Sequence, residues 1–204
     1  MTGKLIINIG RQFGSRGREV ALELGRRLGI PVYDAELINK AAQESGLSAS
    51  LFEKRDEKTH FWKIGSVFGS NRYYAGSGGL NDATIFGIQC DTIRKIASEG
   101  SAIFIGRASN YALRELDCCL DVFIHAPLEV RAKYVALREG ISEEEAGKLA
   151  YDKDTARAQH YNLFTDGHWG KSSDYDMCID SSLAGVEGTA DIIIEFGRKA
   201  GLID

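Results

Sequence analysis

Prolines and cysteines are scarce in this chain, and neither marks out an unusual structural class. Two prolines among 204 residues, against 23 glycines, argue against a proline-rich or disordered chain. The four cysteines contain no C-x-x-C pair, and Cys118 and Cys119 adjoin in a run that predicts a buried strand. We therefore expect the cysteines to be small buried hydrophobic residues in a reducing compartment, the cytoplasm.

Long apolar runs and an excess of basic charge are also missing. No stretch approaches the length of a membrane span, and the N-terminus lacks the pattern of a signal peptide. The net charge of −4 gives no basic field that would attract nucleic acid. We expect neither membrane nor nucleic acid as a partner, so an anionic ligand must meet a local cluster of arginines. No metal site is assigned, because no metal-ligand spacing links His60, His125, His160 and His168.

Short apolar runs alternate along the chain with segments of helical periodicity. The runs that predict strands are Lys4–Ile9, Ile30–Tyr33, Ala102–Ile105, Cys118–His125 and Tyr175–Ile179. The segments that predict helices are Arg18–Leu28, Ala35–Glu44, Leu51–Lys58, Asp82–Glu99, Tyr111–Glu115, Leu128–Glu139, Ser142 to about Phe164, and Val186–Lys199. This alternation predicts a single α/β domain over residues 1–204, with a mainly parallel five-stranded sheet covered on both faces. The aperiodic stretch His60–Leu80 is predicted to be a long functional loop or a small lid.

The first strand, turn and helix form an arrangement that binds phosphate, because backbone N–H groups and the helix dipole point toward the turn. The candidate phosphate-binding residues are Gly10, Phe13, Gly14, Ser15, Arg16, Gly17, Arg18 and Glu19. The usual pattern G-x-x-x-x-G-K-[ST] is incomplete, since alignment on Gly14 and Ser15 puts Gly17 where the lysine stands. Arg18 or Arg16 could supply the missing charge, and Glu19 or Ser15 could approach a metal ion through water. A purely structural turn is the alternative.

Several segments together carry a resemblance to a known family. They are GRQFGSRGREVA, IPVYDAELI, IFIGRASNYAL, APLEVRAKYV, and DKDTARAQHYNLFTDGHWG followed by YDMCIDSS. In order and spacing they resemble the cytidylate kinase-like family, a branch of the nucleoside monophosphate kinases, over nearly the whole chain. The resemblance implies the three-layer fold of the P-loop NTPases, with an acceptor-binding insertion over about residues 34–82 and a helical lid over about 142–172. It also implies that the loop Gly10–Arg18 binds the phosphates of ATP.

The resemblance further implies roles for individual residues. Those expected to bind the acceptor are Asp34, Arg107 and Lys153. Those expected to be catalytic are Arg18, Arg131, Arg157 and Asp154. Arginine suits such a site because its planar guanidinium binds phosphate oxygens through two parallel hydrogen bonds. Gly10, Asp34 and Gly106 each lie at or just beyond the end of a predicted strand, where ligands of open α/β sheets bind.

The chain departs from the family pattern in two places. Where a typical cytidylate kinase follows its strand-end arginine with Asp and Gly-Thr, this chain has Ala108, Ser109 and Asn110. In the lid motif R-D-x-x-D-S-x-R, Ala150 and Tyr151 take the first two places, and Lys153 is a candidate for the lost charge. The lid segment also carries three aromatic residues that either pack the lid or stack on a base, namely Tyr161, Phe164 and Trp169.

The function implied by the resemblance is transfer of the ATP γ-phosphate, with Mg²⁺ as the accompanying ion, to a nucleoside monophosphate, CMP or dCMP. Two alternatives stay open: a kinase with a non-nucleotide acceptor, and a nucleotide-binding module that has lost turnover. The missing lysine and hydroxyl of the loop favour the module, whereas Arg107, Arg131 and Arg157 favour a kinase. The expected partners are nucleotide substrates, and the expected assembly is a monomer or a homodimer.

Overall fold

The computed structural model describes residues 3–44 and 82–203. Its strands are β1 (Ile6–Arg11), β2 (Val32–Tyr33), β3 (Ala102–Ile105), β4 (Cys119–His125) and β5 (Met177–Asp180). All pairings are parallel, in the order β2-β3-β1-β4-β5. The prediction of a parallel five-stranded α/β sheet is therefore confirmed.

The helices follow the predicted segments closely. They are α1 (Gly17–Leu28), α2 (Ala35–Glu44), α3 (Asp82–Glu99), α4 (Ser109–Ala112), α5 (Leu128–Glu139), α6 (Glu143–Phe164) and α7 (Ser181–Lys199). The bounds of α2, α3 and α5 are those that the sequence predicted. The predicted helix Leu51–Lys58 and the stretch His60–Leu80 lie outside the described residues.

Several predicted boundaries are wrong by two residues or more, including the starts of β1, β2 and β5. Three further differences concern β1, α4 and α7. β1 runs on to Arg11 instead of ending at Ile9, because Gly10 and Arg11 continue the pairing with β4. The short helix α4 begins at Ser109, two residues before the predicted Tyr111. α7 begins at Ser181 but contains a non-helical residue, Gly185, just before the predicted start.

Local end signals explain why the other boundaries were predictable. Gly29 and Gly140 close α1 and α5 in the left-handed conformation that glycine adopts without a Cβ penalty. The N-terminus of α6 has a capping box, in which Ser142 Oγ accepts from the Glu145 N–H at 3.2 Å. The Ser142 N–H in turn donates to Glu145 Oε2 at 3.0 Å.

Both faces of the sheet are covered, as predicted. On one face, Ile7 and Ile9 pack with residues of α1 and α7, while on the other Ile6 and Phe104 pack with residues of α3. The cysteines were all expected to be buried, but only Cys90 is. Cys118 and Cys119 are half-buried, and Cys178 is exposed. Across the described ranges, which include all four cysteines, none forms a disulfide. In those ranges no helix is long and apolar enough to cross a bilayer.

One polar pair interrupts the apolar sheet and gives a prediction about stability. Asn8 Nδ2 donates to Asp121 Oδ1 at 2.7 Å, whereas the buried Asn8 Oδ1 has no partner among the residues described. Burial raises the pKa of Asp121 to about 6, with Asn8 opposing the rise and Asp176 adding to it. Because the pKa of an unfolded aspartate is about 3.9, the folded state binds this proton more tightly. Stability is therefore lost as the pH rises from about 4 to about 6.

Asp121→Asn is expected to raise the free energy of unfolding at pH 7.5 by about 1–2 kcal/mol. The new amide carries no charge to bury, and it offers a donor to Asn8 Oδ1. Urea unfolding should show the gain at pH 7.5 and lose it at pH 4, where the native aspartate is protonated. Asp117→Asn, at an exposed position two residues before β4, is the matched control and should change neither value. An equal gain at both pH values would contradict the assignment of the effect to the Asp121 charge.

Candidate active site

The loop between β1 and α1 is a tight turn held against α5. Gly14 has φ +79°, and a Cβ there would lie 2.8 Å from Val135 Cγ2 and 3.0 Å from the Arg131 carbonyl. Ser15 is 1% exposed, and its Oγ donates to the Gln12 carbonyl at 2.9 Å. The hydroxyl of Ser181 donates to the Ser15 carbonyl at 2.7 Å. Ser15 thus shapes the loop from inside, which leaves its hydroxyl poorly placed to approach a metal ion.

The first turn of α1 presents backbone donors next to this loop. The earliest helical bond runs from the Val20 N–H to the Arg16 carbonyl at 3.0 Å. The N–H groups of Gly17, Arg18 and Glu19 therefore precede the hydrogen-bond ladder, as the first donors of every α-helix do. Within the described part of the chain, the Arg16 side chain does not cap them. This end of α1 is suited to an anion such as a phosphate group.

Asp154 of α6 fastens the loop. It accepts from the Phe13 N–H at 2.7 Å, from Arg131 Nη1 at 2.8 Å and from Arg157 Nη1 at 3.4 Å. Arg131 is 6% exposed and donates to the carbonyls of Phe13 and Ala126, both at 2.9 Å. The structure thus places two predicted catalytic residues, Asp154 and Arg131, against the loop backbone, where they position it.

Three guanidinium groups meet at the carboxyl edge of the sheet. Arg157 Nη1 donates to the Arg11 carbonyl at 3.1 Å, and Arg11 Nη1 packs so closely on Gly106 that a Cβ there would overlap it. Burial, together with the charges of Arg157 and Arg107, lowers the pKa of Arg11 to about 9. Burial and Arg157 likewise lower the pKa of Arg107 to about 10. Positive charge gathered in this way attracts an anion.

The backbone that carries Arg107 is strained. Gly106, Arg107 and Ala108 have φ values of +70°, +60° and +52°, so two residues with side chains adopt the left-handed region in succession. Each such residue is disfavoured by about 1–2 kcal/mol relative to the right-handed form. Backbone strain of this kind is concentrated at functional sites.

Asp34 and Arg18 lie at the same edge and contact each other. Arg18 Nη2 is 3.2 Å from Asp34 Oδ2, with the Arg18 side chain 64% exposed. Asp34 Oδ1 accepts from the N–H groups of Glu36 and Leu37 at 3.1 and 3.2 Å, so Asp34 caps α2. Asp34 also helps to offset the charges of Arg11 and Arg107.

Three remaining predicted loop residues, Arg16, Glu19 and Gly10, contact neighbouring side chains. Arg16 stacks its guanidinium over the Tyr134 ring at 5.4 Å, and Glu19 accepts from the Tyr134 hydroxyl. Gly10 lies within β1, where a Cβ would be 2.8 Å from Phe123 Cδ2 and 3.0 Å from Tyr175 Cε1. Its glycine is therefore required by packing.

The segment predicted as a lid crosses this edge and is anchored by its aromatic residues. Phe164 stacks on Phe86 at 4.8 Å, and Trp169 meets Phe123 edge-on at 5.2 Å. The hydroxyl of Tyr161 accepts from Asn110 Nδ2 at 2.9 Å. These contacts fit the packing interpretation of the three aromatics.

Lys153, on the same helix as Arg157, has its pKa lowered by burial and by the charge of Arg157.

His160 and Arg11 are two site residues that sequence patterns did not single out. Burial and the charge of Arg107 lower the pKa of His160 to about 4, so its imidazole is neutral at pH 7. Arg11 lies within the loop Gly10–Arg18, where the motif gives it no individual role. Its position one residue after a glycine at a strand end was the available signal.

Magnesium fits this site only as an ion brought by a nucleotide. Across residues 3–44 and 82–203 no three His, Cys, Asp or Glu side chains cluster as a cage. Asp154 and Asp34 are already engaged by arginines and backbone N–H groups. Mg²⁺ at phosphotransfer sites is held largely by substrate phosphates and water, which such a site allows.

Comparison with known proteins agrees with this geometry. Residues 6–183 match the model of the Cytidylate kinase-like family. The cytidylate kinase of Methanopyrus kandleri is 28% identical over 188 residues, which cover 87% of this chain and 85% of the relative. That of Pyrococcus horikoshii is 28% identical over 192 residues, covering 93% and 86%.

Two solved structures resemble the chain over almost its whole length. An uncharacterised protein from Eubacterium ventriosum aligns with a TM-score of 0.73 and 27% identity, covering 95% of this chain and 98% of its own. The shikimate kinase of Bacteroides thetaiotaomicron aligns with a TM-score of 0.54 at 12% identity, covering 96% and 99%. The second likeness concerns the fold alone.

Proposed function

Because the chain belongs to the cytidylate kinase-like family, we propose that it transfers the γ-phosphoryl group of ATP to CMP or dCMP. The observation that carries the proposal is the meeting of Arg11, Arg107 and Arg157 beside the N-terminus of α1. One phosphate would face the helix end, and another would lie among the guanidinium groups. Phosphoryl transfer needs this kind of alignment and charge neutralisation more than it needs covalent help from the protein.

Different elements at this edge of the sheet bind the two substrates. The loop and the first turn of α1 bind the ATP phosphates, while Arg107 and Asp34 bind the acceptor. An unprotonated oxygen of the acceptor phosphate attacks the γ-phosphorus as the bond between that phosphorus and the oxygen of ADP breaks. Arg157 offsets the charge on the transferring group, and no general base is required. Magnesium brought with ATP would neutralise part of the phosphate charge.

The proposed domain division follows the same logic. The segment at about 142–172 acts as a lid, because Asp154 and Arg157 connect it directly to the phosphate loop. Closure of this segment on bound substrate would exclude water and limit hydrolysis of ATP. The acceptor-binding insertion at about 34–82 falls mostly outside the described residues.

The four free thiols support a reducing compartment, for which we propose the cytoplasm.

A non-nucleotide acceptor is the second candidate, favoured by one observation. Ser109 and Asn110 stand after Arg107, where the family resemblance led us to expect other residues. Ser109 is 2% exposed, and Asn110 is held by Tyr161. A base that needs hydrogen bonds from these positions would find neither side chain available.

The test is the initial rate of ADP formation from MgATP in separate reactions with CMP, dCMP, UMP, AMP, GMP and no acceptor. The proposal predicts a rate with CMP or dCMP at least about tenfold above that with any other monophosphate, the discrimination that a few base-specific hydrogen bonds provide. Equal rates in all reactions, including the one without acceptor, would exclude a nucleoside monophosphate as the acceptor.

A further inference from the structure

We propose that Arg11 supplies the cation that this phosphate loop lacks at position 17. The inference rests on the proposed phosphotransfer, and it concerns a residue to which neither the motif nor the family resemblance assigned a role. From the sequence alone, Arg16 and Arg18 are the candidates for the missing charge. The structure engages both elsewhere, Arg16 over the Tyr134 ring and Arg18 with Asp34.

The sequence holds an exchange of two residue types. When the pattern G-x-x-x-x-G-K-[ST] is placed with its lysine on Gly17, its first glycine falls on Arg11. The chain therefore has a glycine where the motif has a cation, and a cation where the motif has a glycine. At this pair of positions the two changes together keep one cation and one glycine. The motif's second glycine falls on Arg16, which adopts a left-handed φ of +59° and stacks over the Tyr134 ring.

The geometry shows that the two positions share one space. A Cβ on Gly17 would lie 2.7 Å from Arg11 Cβ and 3.3 Å from Arg11 Cγ. The side chain of Arg11 thus fills the volume into which a residue at position 17 would extend. A lysine at 17 is excluded while Arg11 is present, and Arg11 is accommodated because residue 17 has no side chain.

The charge of Arg11 then lies between the phosphate loop and Arg107. Its guanidinium packs on Gly106 at the end of β3, close to Arg107 and Arg157. Within the residues described, that guanidinium has no hydrogen-bond or salt-bridge partner. A half-buried cation with open donors is stabilised by an anionic ligand, and a guanidinium matches phosphate oxygens in shape as well as charge.

Affinity for MgATP, measured by titration calorimetry, tests this assignment independently of turnover. Arg11→Met keeps the packing against Gly17 and removes the charge, so it should weaken MgATP binding by about tenfold to a hundredfold. Arg11→Lys should recover part of the loss. The control Arg26→Ala removes an exposed arginine of α1 that pairs with Glu23, and it should bind as the native protein does.

The exchange itself is tested by restoring the ordinary motif. Arg11→Gly combined with Gly17→Lys should bind MgATP at least about tenfold more tightly than Arg11→Gly alone. Arg11→Ala combined with Gly17→Lys retains the crowding Cβ at position 11 and should give no such recovery.

Two results would overturn the inference. One is native affinity in Arg11→Met, and the other is a folded Arg11→Gly/Gly17→Lys protein that binds no better than Arg11→Gly. If the double variant does not fold, the comparison of Arg11→Met with Arg11→Lys decides. If the native protein binds MgATP through Arg11 but forms no ADP with any monophosphate, the proposed function fails while the assignment of Arg11 stands.

Discussion

Asp154→Ala is expected to lower the free energy of unfolding by about 3–5 kcal/mol and to reduce kcat at least on the order of a hundredfold. The stability loss follows because Arg131, which is 6% exposed, would keep its charge without the carboxylate that meets it at 2.8 Å. The activity loss follows because the Phe13 N–H would lose its acceptor, and the loop would shift relative to α1. Urea unfolding and steady-state kinetics measure the two effects separately.

Asp154→Asn separates the charge from the hydrogen bond. An asparagine oxygen can still accept from the Phe13 N–H, so the loop should keep more of its shape than in the alanine variant. We expect intermediate values of both stability and kcat. An unchanged urea midpoint in Asp154→Ala would contradict the view that this carboxylate fastens the loop.

Arg107→Gly is expected to move stability and activity in opposite directions. Glycine adopts the φ of +60° without strain, and removal of the guanidinium relieves its repulsion with Arg11 and Arg157. The free energy of unfolding should therefore rise by about 1 kcal/mol. Turnover should fall on the order of a thousandfold, because the acceptor phosphate would lose the guanidinium that binds it and offsets its charge beside the γ-phosphoryl group.

The adjacent residue provides the matched control. Ala108 has φ +52° and is 6% exposed, so Ala108→Gly also relieves left-handed strain but removes no charge. Its kcat should stay within about twofold of the native value, since no group that faces a phosphate changes. A loss of stability in Arg107→Gly together with native turnover would show that Arg107 is a structural residue of the βα connection.

The parts of the fold that the sequence predicts are those encoded by neighbours in the chain. Gly29 and Gly140 end helices through their own conformational freedom, and Ser142 with Glu145 begins one through reciprocal hydrogen bonds. Such signals act within a few residues, so they can be recognised without the structure.

The site depends instead on contacts between distant segments. The bonds of Phe13 with Arg131 and Asp154 span 118 and 141 residues, and no local pattern indicates which arginine faces the loop and which faces solvent. Arg11 joins the site because pairing with β4 continues β1 through Gly10 and Arg11. In addition, Arg157 of α6 donates to the Arg11 carbonyl. The sequence predicted an arginine-rich edge. Packing decides that Arg131 holds the loop, whereas the Arg11 guanidinium has no hydrogen-bond partner among residues 3–44 and 82–203.

The most direct test of the central claim follows the γ-phosphate itself. ATP labelled at the γ-position would be incubated with Mg²⁺ and CMP or dCMP, and the labelled products would be separated. The arrangement of Arg11, Arg107 and Arg157 predicts label in the nucleoside diphosphate for the native protein and its near disappearance from that product in Arg107→Gly. Label that appears only in inorganic phosphate, or equally in both proteins, would contradict the assignment of this edge as a phosphotransfer site.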